Sequence, residues 1–169
     1  MTTNVLVAYA TRNGSTAEVA AVIADALRGE GLRAEARQVT DRVDVSAYNA
    51  VVLGSGVYAG RWLRDAHRFV RREHHALVRL PVWLFSSGPL DRSASERDIP
   101  PVPGAFRIAR RLGVEGHVTF GGCLKDGARG RVARMLLKQG RGGDFRDQGQ
   151  IRSWARDIAH ELVAERVGP

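Results

Sequence analysis

The stretch Tyr9-Ala10-Thr11-Arg12-Asn13-Gly14-Ser15-Thr16-Ala17-Glu18-Val19-Ala20-Ala21-Val22-Ile23 decides the fold. Residues 4–9, which run into it, are a short stretch apolar from Val5 onward, as in a strand buried on both faces of a parallel sheet. Over residues 16–28 the apolar residues instead recur with helical period, and Val19, Ala20, Ile23, Ala24 and Leu27 fall on one stripe. Ser15 and Glu18 have the spacing of a capping box, which predicts Ser15 as the cap with Glu18 reaching back to it. Between strand and helix lies a loop of hydroxyls, an amide and a glycine. Backbone N–H groups at a helix N-terminus, supplemented by hydroxyls, are what a phosphate needs. A cap requires one hydroxyl, whereas Thr11, Ser15 and Thr16 supply three, so the loop is assigned to phosphate binding. It lacks GxxxxGK[ST] and is not a Walker loop. Nor does the chain carry the dinucleotide fingerprint GxGxxG, because Gly54-Ser55-Gly56 followed by Gly60 has the wrong spacing and follows the third strand.

Outward from this unit the same alternation continues. Residues 32–39 read as a weaker, alternating edge strand, 50–54 as a third strand, 82–86 as a fourth and 117–122 as a fifth. Helices are expected over 63–78, with an Arg-rich polar face, over 105–112 and over 151–167, with a short helical core at 132–138. Strands and helices in strict alternation define an α/β protein with a doubly wound parallel sheet and helices on both faces. In such a sheet ligands bind beyond the carboxyl ends of the strands, where the strand order reverses. Three loops lie at those ends: residues 11–16, 54–60 and 86–90.

Composition narrows the class. With 169 residues, 44% hydrophobic and 26% charged, the chain is one globular domain over 1–169 and not a disordered, collagenous or disulfide-built protein. Its net charge is +8, from 26 basic residues against 18 acidic ones. Only Lys125 and Lys138 are lysines, a skew that coding bias can produce, so the net charge and not the Arg preference is informative. Residues 107–146 hold ten basic and three acidic side chains, and 61–79 hold six and two, while the remaining stretches are slightly acidic. The one cysteine, Cys123, cannot form an internal disulfide, and no Cys/His spacing suggests zinc, so no metal is expected and a reducing compartment fits. Residues 1–10 lack the basic start and the apolar length of a signal peptide, and no segment has the length of a membrane span.

The residues from Tyr9 to Ile23 resemble the flavodoxin signature, in which an aromatic precedes a Thr/Ser, Gly, Thr loop and an Ala with an aliphatic follows on the helix. Ala8 departs from it, standing where the family usually has a large apolar residue. Residues 47–62, from Ala47-Tyr48 to Arg61-Trp62, look like the family's third strand and the loop against the flavin ring, and Phe85-Ser86-Ser87-Gly88-Pro89-Leu90 like the other flavin loop. The resemblance implies a flavodoxin-like five-stranded parallel sheet of order 2-1-3-4-5 and FMN as cofactor. It implies that Thr11, Arg12, Asn13, Gly14, Ser15 and Thr16 hold the 5'-phosphate. Ser55, Gly56, Val57, Tyr58, Ala59 and Gly60 would then line one side of the isoalloxazine, and Ser86, Ser87, Gly88, Pro89 and Leu90 the other.

Within the family the tail is similar to the menaquinone-dependent protoporphyrinogen IX dehydrogenases, in which a basic segment is inserted after the fifth strand; here that insert is residues 124–149. That branch implies an FMN-dependent oxidoreductase passing electrons from a porphyrinogen to a quinone in heme biosynthesis. The rivals are a flavodoxin-type electron carrier for a protein partner and an NAD(P)H-quinone reductase. In the insert, Arg129, Arg131, Arg134, Lys138 and Arg141 surround Val132, Met135, Leu136 and Leu137. This short cationic, amphipathic element suits tetrapyrrole propionates or anionic lipid headgroups, where each basic residue contributes about 1 kcal/mol near the surface. The expectation is a cytoplasmic protein with transient contact at the inner face of the membrane. No recognition motif accompanies the charge, so nucleic acid is not expected as a partner. His67, His74, His75, His117 and His160 show no convergent spacing, no residue is assigned as catalytic, and Cys123 is read as a packed thiol.

Overall fold

Continuous apolar runs form the middle of the sheet because both of their faces are covered. The computed structural model describes residues 2–167. Its parallel strands are β1 (Asn4–Ala10), β2 (Arg33–Gln38), β3 (Ala50–Tyr58), β5 (Val82–Ser87) and β6 (Gly116–Phe120), in the order β2-β1-β3-β5-β6. Counting these parallel strands alone, the order is 2-1-3-4-5, with β2 at an edge. The strand order reverses between β1 and β3, which pair in parallel from Val5 beside Ala50 to Ala10 beside Ser55.

Alternation along the strands divides the core in two. Val5 and Val7 of β1 face α1 (Ser15–Gly29) and α7 (Gln148–Val167), together with Trp83, Phe85 and Phe120. Leu6 and Ala8 face the other way, into a cluster completed by Ala66, Phe69 and Val70 of α2 (Arg64–Arg72), Leu77 of α3 (His74–Leu77) and Ala105, Ile108 and Leu112 of α5 (Pro103–Leu112). The expected single helix over 63–78 is thus two helices, interrupted at Glu73.

Three further differences bear on the site. Residues 54–58 continue β3, and a short strand β4 (Arg61–Trp62) folds back on them with Val57 beside Trp62 and Tyr58 beside Arg61. Ala59 and Gly60 form the turn with φ of 50° and 72°, the pair of positive values that a two-residue hairpin needs to match the strand twist. The expected loop is therefore a rigid hairpin. The capping box does not form: Gly14, with φ of 89°, is the N-cap, and no side chain caps α1. Finally, β6 ends at Phe120, and a two-stranded ribbon of β7 (Cys123–Leu124) and β8 (Gly143–Asp144) closes the following segment around α6 (Arg131–Lys138). The short α4 (Ser93–Glu96) lies between β5 and α5. Among the described residues no helix is long and apolar enough to cross a membrane.

Candidate functional site

Gly14 shapes the first loop. Its N–H donates to Thr11 Oγ1 at 2.9 Å, and its carbonyl accepts the first helical bond from the Glu18 N–H at 3.2 Å. The N–H groups of Ser15, Thr16 and Ala17 consequently have no partner within the helix, as at any helix start. Thr16 is fully buried, and its Oγ1 has no hydrogen-bond partner. A β-carbon at Gly56 would lie 3.2 Å from this oxygen, so it sits where the first loop meets the hairpin. A buried hydroxyl without a partner is costly unless a ligand completes it.

Beyond the strand ends is a cavity of about 340 Å³. Asn13 and Ser15 line it, with Gly56, Val57, Tyr58, Ala59 and Gly60 from the hairpin and Ser86, Ser87, Gly88, Pro89 and Leu90 after β5. Arg12, Asn13, Gly14 and Ser15 line an adjoining polar recess. Ser87 Oγ is a second buried hydroxyl without a partner. The chain segments around the cavity approach one another closely, and a β-carbon at Gly122 would lie 2.7 Å from the Gly88 carbonyl oxygen. Orphaned hydroxyls, free helix N–H groups and glycine-lined walls together fit a phosphate monoester joined to a flat ring system.

The remaining residues picked from sequence have other partners. Thr11 Oγ1 holds the loop turn, as described. Ser55 Oγ donates to the Gly56 carbonyl at 2.8 Å and accepts the Leu63 N–H at 3.0 Å, so it fastens the hairpin. Ser86, part of the cavity wall, has its Oγ accepting the Trp62 indole N–H at 2.8 Å and lying 3.0 Å from His117 Nε2. Burial pushes His117 down to about 4, so its ring is neutral at ordinary pH. Tyr58 is covered by Arg12, whose guanidinium carbon is 5.0 Å from the ring centre, and burial raises its phenol above the usual range.

The fourth wall comes from the basic insert. Val132, Ala133 and Leu136 of α6 line the same cavity as the loops, with Leu124 and Arg141. The apolar side of α6 is therefore turned inward, and Met135, 51% exposed, is the large apolar side chain it leaves in solvent. The strap formed by residues 123–147 is fastened to the first loop and to α1, where Lys125 reaches Glu18 at 3.8 Å. Asn13 accepts the Arg129 N–H at 2.9 Å and donates to the Arg129 carbonyl at 3.3 Å. Arg146, its side chain only 8% exposed, grips Asp144 through bonds of 2.9 and 2.7 Å and also pairs with Glu18 in the first turn of α1. Hydrogen bonding to Arg146 lowers both acids, Asp144 to about 2. Cys123 lines both cavity and recess, and burial raises its thiol, which keeps it protonated. Ile99, Pro100, Val102 and Thr119 complete the cavity. None of these carries a sequence signal, because they are apolar or small residues brought in by the return of distant chain segments.

The flavodoxin domain profile matches residues 6–116 of this chain. The chain belongs to the flavodoxin domain family, a family of FMN-binding redox proteins, and FMN is its cofactor. Among solved structures it is similar to rubredoxin oxygen:oxidoreductase of Desulfovibrio gigas, with 14% identity and a TM-score of 0.65 over 98% of this chain. It spans only 37% of the length of that protein. An archaeal flavodoxin matches at 15% identity and TM-score 0.61 (94% of this chain, 98% of the other), and a Streptococcus pneumoniae flavodoxin at 17% and 0.57 (96% and 99%). These likenesses establish the fold. No curated protein matches the sequence.

Proposed function

We propose that this protein is an FMN-dependent oxidoreductase whose small redox substrate, of the quinone or porphyrinogen class, enters the cavity beneath the strap. The observation that carries this reading is the inward-facing apolar side of α6, with Val132, Ala133 and Leu136 on the same cavity as the flavin loops. A bare flavodoxin core has no need of such a wall. A small planar substrate does, because the wall excludes water and supplies apolar contact.

In this reading the N–H groups of residues 15–17 and Thr16 Oγ1 hold the phosphate, and the hairpin and the 86–90 segment hold the ring. FMN supplies the exchange of an electron pair with the substrate. Arg141, on the cavity wall, offers a cation to a substrate carboxylate. The similarity to protoporphyrinogen IX dehydrogenases is the finer form of this proposal, supported by the basic segment following the fifth parallel strand. Contact with an anionic membrane through the strap has less support, since the apolar face of α6 is already occupied by the cavity.

Two measurements test it. Thr16→Val keeps the shape and removes the hydroxyl, so FMN should bind roughly tenfold to a hundredfold more weakly, the value of one hydrogen bond to a charged group, while riboflavin affinity stays unchanged. Equal FMN affinity in wild type and variant removes Thr16 from the phosphate site. Protoporphyrinogen should be oxidised with a menaquinone analogue as acceptor, or the quinone reduced by a chemical donor, above the rate of free FMN. A pure electron carrier shows neither.

A further inference from the structure

The strap accounts for only part of the charge excess. α2 carries four arginines (Arg64, Arg68, Arg71, Arg72) and one acid, Asp65, while α5 carries Arg107, Arg110, Arg111 and no acid. The two helices cover the same side of the sheet. They meet where the His67 ring rests on Gly104, since a β-carbon there would lie 2.9 Å from His67 Cε1. Arg107 reaches the same point, its Nη2 3.9 Å from a β-carbon at Gly104, and Arg71 of the other helix also acts electrostatically on His67. Arg68 reaches Asp65 at 3.7 Å, and Arg110 covers the ring of Phe106. Arg64, Arg71, Arg107 and Arg111 have no ion-pair partner among the described residues.

Coding bias alone does not produce this arrangement, because α2 and α5 carry seven arginines against one acid, whereas α1 and α7 on the opposite side carry four against five. There Arg152 pairs with Asp25 at 3.1 Å and Arg156 with Glu30 at 3.9 Å. Holding like charges together across two helices opposes folding, and a complementary anionic surface removes that cost. The place of the patch narrows the occupant. Val102, the N-cap of α5, lines the cavity, and α2 follows the hairpin that forms the cavity's wall, so the patch begins at the cofactor rim. Phe106, 51% exposed, is the large apolar side chain these two helices present, too little to enter a bilayer. Guanidinium forks match carboxylates in two-point contacts.

We propose that the α2/α5 face is the docking surface for an acidic redox protein that exchanges electrons with the cofactor. This rests on the oxidoreductase reading and assigns the half-reaction that the small substrate leaves open. The test uses the full chain loaded with FMN and, as probe, a strongly acidic plant-type [2Fe–2S] ferredoxin reduced beforehand. Two reduced ferredoxins each give one electron and the solvent gives two protons, so two clusters are oxidised for each FMN reduced to the hydroquinone. Stopped-flow bleaching should slow steeply as ionic strength rises. The triple variant Arg71→Gln, Arg107→Gln, Arg111→Gln should lower the low-salt rate constant by about tenfold and flatten its salt dependence, as expected when electrostatic steering is removed. Removing three charges from the strap instead, with Arg131→Gln, Arg134→Gln and Lys138→Gln, should change it by less than about threefold.

Equal losses in both variants, or a rate insensitive to salt, overturn the proposal. It is also overturned if phosphatidylserine vesicles or duplex DNA bind the wild type and lose only the α2/α5 variant while ferredoxin distinguishes nothing. If the chain retains no flavin, the cofactor reading fails by itself. Titration with oxidised ferredoxin, which needs no flavin, then still decides the docking face by the same variants.

Discussion

The two sides of the sheet handle charge in opposite ways. On the α1/α7 side arginines are tied to acids: Arg152 to Asp25, Arg156 to Glu30, and Arg146 of the strap to Glu18 of α1 and to its neighbour Asp144. On the α2/α5 side Arg68 pairs with Asp65 and Arg72 with Glu73, and the other five arginines have no ion pair among the described residues. The first side also holds the interlocked aromatic group of Phe85, Phe120 and Trp154, with ring centres 5.6 to 6.3 Å apart. One side of the domain closes on the strap, and the other keeps cationic charge that is not paired among the described residues. Net charge alone hides this division.

The largest test of the comparison lies in the packing of the closed side. At Gly54 a β-carbon would lie 2.1 Å from Cζ of the Phe85 ring, which cannot retreat because Phe120 and Trp154 lie against it. Gly54→Ala should cost about 3 kcal/mol and lower Tm by roughly 10 °C, as overpacking of a rigid core does. A calorimetric Tm within a degree or two of wild type means that this side is looser than described.

Next is the clasp. Arg146→Ala removes hydrogen bonds to two carboxylates, and urea unfolding should show a loss of about 2 kcal/mol at neutral pH. Asp144 and Glu18 are both held below their ordinary values, so the stability they contribute is complete above about pH 4.5 and disappears as the pH falls toward about 2. The wild type should lose that part of its stability across this window, and the variant, which lacks it already, should show a shallower slope. Parallel slopes would remove the clasp from the account of the strap.

The smallest effect is on the open side. His67 is lowered from its ordinary value by burial first, then by Arg107 and Arg71. Arg107→Gln should bring it part of the way back up, as followed by NMR titration of the ring, and change stability by no more than about 0.5 kcal/mol. A titration that does not move separates Arg107 from Arg71 and dissolves the patch.

Much of this architecture was legible because it is local. The apolar runs 4–9, 50–54 and 82–86 became the three central strands, since a parallel strand covered on both faces must be continuously apolar. The loops 11–16, 54–60 and 86–90 were placed at the strand ends by the same alternation. The capping box that the spacing of Ser15 and Glu18 predicts does not form, because Arg146, distant in sequence, takes the Glu18 carboxylate and Gly14 in a left-handed conformation caps the helix. The loop at 54–60 became a hairpin once Ser55 Oγ accepted the Leu63 N–H and closed it. The strap was visible as a charged segment, but its fastening to Asn13 depends on a hydrogen bond between residues 116 positions apart.

The order of apolar runs, helical stripes and hydroxyl-rich turns was therefore enough to determine an α/β sheet with a phosphate loop after its first strand, because periodicity and turn chemistry act over a few residues. Tertiary structure alone decided which arginines found acids, which face of the short basic helix turned inward, and which hydroxyls remained without partners. Those outcomes depend on which distant segments meet across the sheet. One side of the sheet consequently became the closed side, where arginines meet acids, and the other a cationic face.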